Sequence, residues 1–182
     1  ATFVAAAARP TTTFTLAKTS FKTNTARKIT ATTAGTSDNG KTITIVGKDH
    51  NNEDATEVIT LTGSAETSSG TTTAFLSITS ATVSAQPADN VSLGMTADVF
   101  GSVFQGRTRV RQVNAESGGS IGSVLFRDGS LTGTALLTVR TGATAGDVNT
   151  VNIPQDGILY KDGAFVTFDE TQCNSATVYF DG

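Results

Sequence analysis

Residues 40–63, GKTITIVGKDHNNEDATEVITLTG, set two alternating segments on either side of a polar run. In KTITIVG, Ile43 and Ile45 fall on one face of an extended chain and Thr42 and Thr44 on the other, the period of a half-buried strand. TEVITLTG repeats the device with Val58, Leu61 and its threonines. The connecting KDHNNEDA is rich in Asp and Asn, which tolerate left-handed backbone and bond their own main chain. The segment therefore reads as a β-hairpin. A calcium loop on Asp49, His50, Asn51, Asn52, Glu53 and Asp54 is the competing reading, but glycine at the sixth position, a distal bidentate glutamate and flanking helices are all missing.

The rest of the chain has the same texture. About one residue in five is threonine, a β-branched type suited to a pleated, half-buried surface. The alanine-rich run FVAAAARP is closed by Pro10 after a few residues, so almost no helix is expected. No run approaches the roughly 18–20 apolar residues that span a bilayer, and the first ten residues lack the basic start of a secretory signal. These features predict a soluble chain without a membrane partner. A lone Cys173 cannot form an internal disulfide, and Ala1 fits removal of an initiator methionine, which together suggest assembly in a cytoplasm.

Strand signals follow in series. TTTFTLAKTSFKT and RKITATTAG look like the first strands, and TTAFLSITSATVSA adds Phe75, Leu76, Ile78 and Val83 before Pro87 breaks the pattern. From Arg107 onward glycine and Asp-Gly pairs become frequent. Short strands appear in GSVLFRDG, ALLTVRTG, DVNTVNIP, GILYKDG, AFVTFD and SATVYFDG, with Asp-Gly at 128, 156, 162 and 181 as turn punctuation. ILYKDGAFVTF reads as a second hairpin across Lys161, Asp162 and Gly163. The predicted fold class is all-β: two small antiparallel β-sandwich or β-barrel domains preceded by an extended N-terminal arm. The arm covers 1–35, the first domain 36–98, a linker 99–106 and the second domain 107–182.

The net charge of −3 hides an asymmetry. Residues 1–48 hold seven basic side chains (Arg9, Lys18, Lys22, Arg27, Lys28, Lys41 and Lys48) against Asp38 alone, whereas 49–182 hold six basic and fifteen acidic ones. A basic segment ahead of acidic domains suits docking onto an acidic protein neighbour. A nucleic-acid tail fits less well, because no aromatic residues interleave with the basic ones. In GRTRVRQ, Arg107, Arg109 and Arg111 recur with period two, so a strand would place three guanidinium groups on one face. That stripe is either a solvated sheet face or a docking surface for carboxylates on a partner. The partner-binding candidates are thus Arg9, Lys18, Lys22, Arg27, Lys28, Arg107, Arg109 and Arg111.

Other clusters are poor in chemistry. His50 has no histidine or cysteine at zinc spacing. Cys173, in ETQCNSA, reads as a half-buried inert thiol in a turn. GSIGSVLF has glycines but no lysine-serine pair to cradle a phosphate. Asp169 and Glu170 are adjacent at a strand end and point to opposite sides. No catalytic, cofactor or metal site is expected, and an enzyme is the weakest reading.

KTITIVGKDHNNEDATEVITLTG followed by FLSITS resembles a pattern of small structural proteins of tailed bacteriophages. There a strand, a polar turn and a Thr/Glu-rich strand precede F-x-x-(I/V)-T-S; the turn here lacks the usual glycine. GSVLFRDG, GTALLTV, VNIPQDGILYKDGAFVTF and SATVYFDG are similar to segments of small virion β-proteins of marine and cyanobacterial phages. Together the two resemblances cover most of residues 40–181. They imply a non-enzymatic virion component, first a capsid decoration or cement protein bound to the major capsid protein. Such a protein would form a homo-oligomer, a trimer among the options. A tail, adaptor or fibre component is the alternative in the same setting. From another class, a cell-surface carbohydrate-binding module competes, although the chain has no tryptophan and only Tyr160 and Tyr179.

Overall fold

The computed structural model describes residues 9–17, 19, 25–33, 35–62 and 70–182. The described residues form strands and no helix, in two compact units over 1–96 and 97–182. The first unit holds β1 (Arg27–Thr33), β2 (Thr42–Asp49), β3 (Asp54–Thr60), β4 (Gly70–Val83) and β5 (Val91–Met95). They make one antiparallel sheet in the order β3-β2-β4-β1-β5.

The 40–63 stretch is the hairpin that its alternation predicts. β2 and β3 pair without a break from Thr42↔Thr60 to Lys48↔Asp54. Asp49 closes the turn: its Oδ1 accepts from the N–H of Asn51 and Glu53 at 2.8 and 2.9 Å, and Asn52 takes a φ of 64°. Ile43 and Ile45 are buried as expected. On β3 the expectation needs correction, because Ile59 and Leu61 face the core while Val58 is 54% exposed. Val58 and Leu61 are three apart, an odd spacing that puts them on opposite faces of an extended chain.

Fourteen-residue β4 is the spine of this unit. β1 pairs with its first half, Arg27↔Phe75 to Thr30↔Gly70, and β2 with its second, Ile43↔Val83 to Asp49↔Phe75. Register shifts near Gly47 and between Lys28 and Thr30 mark bulges that bend the sheet. The inward faces of β1, β2, β4 and β5 then share one core of Ile29, Ile43, Ile45, Phe75, Ile78 and Leu93. The arm expected over 1–35 is corrected in two places. β1 lies inside it and is a central strand, because Ile29 and Ala31 supply buried side chains. Upstream, Thr13 bridges Thr82, the N–H of Phe14 donates to the Ala81 carbonyl at 2.9 Å, and the Phe14 ring is 3% exposed in the core.

Two carboxylates clip the unit together. Asp38, fully buried, accepts from Lys41 Nζ (2.7 Å) and from the N–H groups of Ala88 (2.7 Å) and Asp89 (3.1 Å), tying the turn before β2 to the loop before β5. Glu57 of β3 accepts from the N–H groups of Thr72 and Thr73 at 2.6 and 2.8 Å. In both, burial pushes the carboxyl up and is the largest single influence, but the donors together hold it below its ordinary value.

The second unit holds β6 (Asp98–Phe104), β7 (Thr108–Ser117), β8 (Gly122–Asp128), β9 (Ala135–Thr141), β10 (Val148–Asn152), β11 (Ile158–Tyr160), β12 (Ala164–Asp169) and β13 (Cys173–Asp181). One sheet runs β6-β12-β8-β9. The other centres on β7, with β10 and β11 along one edge and β13 along the opposite one. Both sheets are open rather than closed barrels. Val110, Val113 and Ala115 of β7 share one core with Val124 and Phe126 of β8, Val139 of β9, Tyr160 and Ala164, so the unit is a sandwich.

Two further expectations are corrected here. Residues 99–106, read as a linker, are mostly β6, whose Val99 is 2% exposed; the chain passes between units at Thr96–Ala97. ILYKDGAFVTF is not a hairpin: β11 pairs with β7, and β12 with β6 and β8. Lys161–Gly163 is instead a corner between sheets. It is held where the Asp162 N–H donates to Asp128 Oδ1 (3.0 Å), the Gly129 N–H donates to the Gly163 carbonyl (3.0 Å), and Gly163 takes a φ of 108°.

Candidate docking surface

β7 alternates buried and solvent-facing residues, so that Val113 and Ala115 enter the core while Gln112, Asn114 and Glu116 line the outer face. The register on both sides extends each into a cross-strand row. Asn152, Gln112 and Tyr179 form one row, Thr150, Asn114 and Thr177 the next, and Val148, Glu116 and Ser175 the third. The result is a three-strand plateau mainly of amides and hydroxyls, which also carries Glu116, the exposed Val148 and one aromatic side chain, Tyr179, 51% exposed. Gln112 Nε2 donates to Asn114 Oδ1 at 3.0 Å and Ser175 Oγ to Glu116 Oε2 at 3.0 Å, which fixes the side chains in place.

The arginine stripe lies at one end of this plateau. Arg109 and Arg111 belong to β7, and Arg107 sits in the exposed bend just before it. The three are not equivalent cations. Arg109 donates to the Asp156 carbonyl (3.3 Å); Arg111 donates to the Gln155 carbonyl (3.0 Å) and forms an ion pair with Asp181 of β13. Two of the three guanidinium groups therefore fasten the 155–156 turn and β13 onto β7.

Of the remaining basic candidates, the structure describes Arg9, Arg27 and Lys28. Arg9 donates through Nε to the Pro87 carbonyl at 3.2 Å, and its own backbone carbonyl accepts from Gln86 Nε2 at 3.3 Å. Arg27 is 4% exposed and donates to the Thr96 carbonyl at 3.2 Å, and Lys28 is half-buried in β1 opposite Ala74. Lys18 and Lys22 lie outside the described residues.

His50 is half-buried beside Asp49, and burial pushes its pKa down more than Asp49 and Glu53 pull it up. Cys173 opens β13 fully buried rather than half-buried in a turn; its thiol donates to the Ser175 carbonyl at 3.2 Å, and burial raises its pKa. Among the described residues no group of three or more His, Cys, Asp or Glu side chains is placed to hold a metal ion.

A second surface feature escaped the sequence reading. The outer face of the β6-β12-β8-β9 sheet carries an open groove of about 540 Å³. Asp98 and Phe100 of β6 stand at one side of it and Arg140 of β9 at the other, with Asp169 of β12 and Ser123 and Leu125 of β8 between; Gln172 also lines it. Only the pairing of four strands brings these residues together, so no local spacing announces them. Comparison of the chain with protein-family models, with curated proteins and with solved structures gives no match.

Proposed function

We propose that the protein is a non-enzymatic structural component of a virion, a capsid decoration or cement protein that binds the major capsid protein through the outer face of the β7 sheet. The observation that supports this reading is the plateau itself: three strands wide, with Gln112–Asn114 and Ser175–Glu116 hydrogen bonds ordering part of it, and bearing directional donors and acceptors beside Tyr179. Ordered polar groups on a rigid sheet dock against a protein surface without side-chain reordering. The phage-like sequence pattern of residues 40–181 supplies the setting.

Two measurements test it. Gold-labelled antibody against the protein should mark the shell of intact particles; label confined to the tail would favour a tail component instead. Binding of purified protein to particles lacking it should weaken about tenfold or more in Gln112→Lys and Thr150→Lys, whose side chains project from the plateau, with unchanged circular dichroism. Undiminished binding by both variants removes the plateau from the interface.

The groove favours a second reading, a carbohydrate-binding module. Carboxylates, an amide and a guanidinium lining one groove with the Phe100 ring are the kinds of group that grip a sugar. Binding to an oligosaccharide array that is lost in Asp98→Asn and Gln172→Ala would select it.

A further inference from the structure

Strand β13 is an open sheet edge of unusual composition. Among the described residues it pairs with β7 alone; it runs nine residues and carries no charged side chain, glycine or proline between Cys173 and Phe180. The other sheet edges are protected in ways natural edges commonly are. β3 carries Asp54 and Glu57, β6 carries Asp98 and Gly101, and β9 carries Arg140. β5, β10 and β11 are only five, five and three residues long. Beside β13, Phe180 packs at a tilt against Phe104, 5.8 Å between ring centroids, and both residues are more than a third exposed.

We propose that a second copy of this chain occupies this edge, its β13 pairing antiparallel with the first about a two-fold axis at Thr177. Complementarity selects a copy of the same strand. With Thr177 opposite Thr177, Ala176 meets Val178, Ser175 meets Tyr179 and Asn174 meets Phe180. The single charge, Asp181, falls opposite Cys173, so no like charges oppose each other. From Ser175 to Tyr179 each residue is matched with one on the same face, so Ala176 and Val178 stay inward and the outer plateau continues into the partner. Ladder pairing on β7 is regular from Ser175 to Tyr179, the stretch that would form the seam. The contact is isologous and closes at two copies. It stands apart from the capsid attachment proposed above, because it is measured on the purified chain alone.

Sedimentation equilibrium of the full chain tests it. Wild type should fit a closed monomer–dimer equilibrium. Thr177 projects outward beside Asn114, so Thr177→Lys should keep its circular dichroism and melting temperature while self-association weakens about tenfold or more, since two lysines would face each other. Thr177→Glu should behave alike. An equimolar mixture of the two variants should recover dimer, because only position 177 faces itself in this register. A monomeric wild type, an open-ended series of oligomers, undiminished dimerisation of both variants, or a mixture no stronger than either alone would each overturn the proposal.

Discussion

Asp98 at the start of β6 and Asp169 at the end of β12 stand directly opposite each other across an antiparallel pair. Like charges so placed destabilise a sheet by roughly 0.2–1 kcal/mol. Asp169 is held by its neighbour, since its Oδ1 accepts from the N–H and hydroxyl of Thr171 at 2.8 and 2.7 Å, whereas Asp98 is exposed. Asp98→Lys converts the repulsion into a cross-strand ion pair and should raise the urea midpoint without changing the slope, a gain that shrinks in high salt. A lowered midpoint would mean that this opposition costs the fold nothing.

The Asp38 clip makes the first unit acid-sensitive. Its folded pKa lies below the ordinary 3.8, so the ionised form stabilises the fold above that value, and the contribution is lost as pH falls through the folded pKa. Asp38→Asn keeps the shape but loses the charge that gathers Lys41 and two N–H groups, and should cost about 2–3 kcal/mol at neutral pH, the scale of charged hydrogen bonds. Chemical denaturation at neutral pH and in strong acid checks both points: the gap between wild type and variant should narrow in acid. A constant gap would assign the loss to packing rather than charge.

Gly47 sits at the β2–β4 bulge, where an added Cβ would lie 2.0 Å from the Ser77 carbonyl oxygen and 3.0 Å from Ile78 Cα. Both are backbone atoms and cannot swing aside. Gly47→Ala should therefore cost at least about 1–3 kcal/mol, the usual range for overpacking, read as a fall in melting temperature. A melting temperature equal to wild type would show that the bulge relaxes freely.

The legible parts of this fold are those that local alternation controls. Ile43, Ile45 and the Asp49 turn announce the hairpin because side-chain parity and Asx chemistry act within a few residues. All six strand segments read after residue 121 form strands for the same reason. Which strand pairs with which depends on distant residues. Tyr160 and Ala164 flank a turn that looks like a hairpin, yet β11 and β12 go to opposite sheets, held there by the 128–129 turn far away in sequence. The arginine stripe shows the same limit. Period two puts Arg109 and Arg111 on one face, but Asp181 and the carbonyls of residues 155 and 156 occupy them only once the sheet is assembled.

Tyr160 offers a test of the second core. It is fully buried in β11, and its hydroxyl has no hydrogen-bond partner among the described residues. Burial, with a smaller effect from Asp128, drives its pKa well above the ordinary 10.0. A tyrosine that resists ionisation only when folded contributes stability that is complete below pH 10 and is lost as the pH rises toward the folded value, because the unfolded chain ionises first. Tyr160→Phe removes that linkage and an unpaired hydroxyl while keeping the ring. The variant should match or exceed wild-type stability at neutral pH, by up to about 1 kcal/mol, and lose less of it above pH 10. Guanidinium denaturation at neutral and alkaline pH reads both effects. If Tyr160→Phe is destabilised at neutral pH by more than about 1 kcal/mol, the hydroxyl makes a bond that holds the sandwich together, and the core is organised around it.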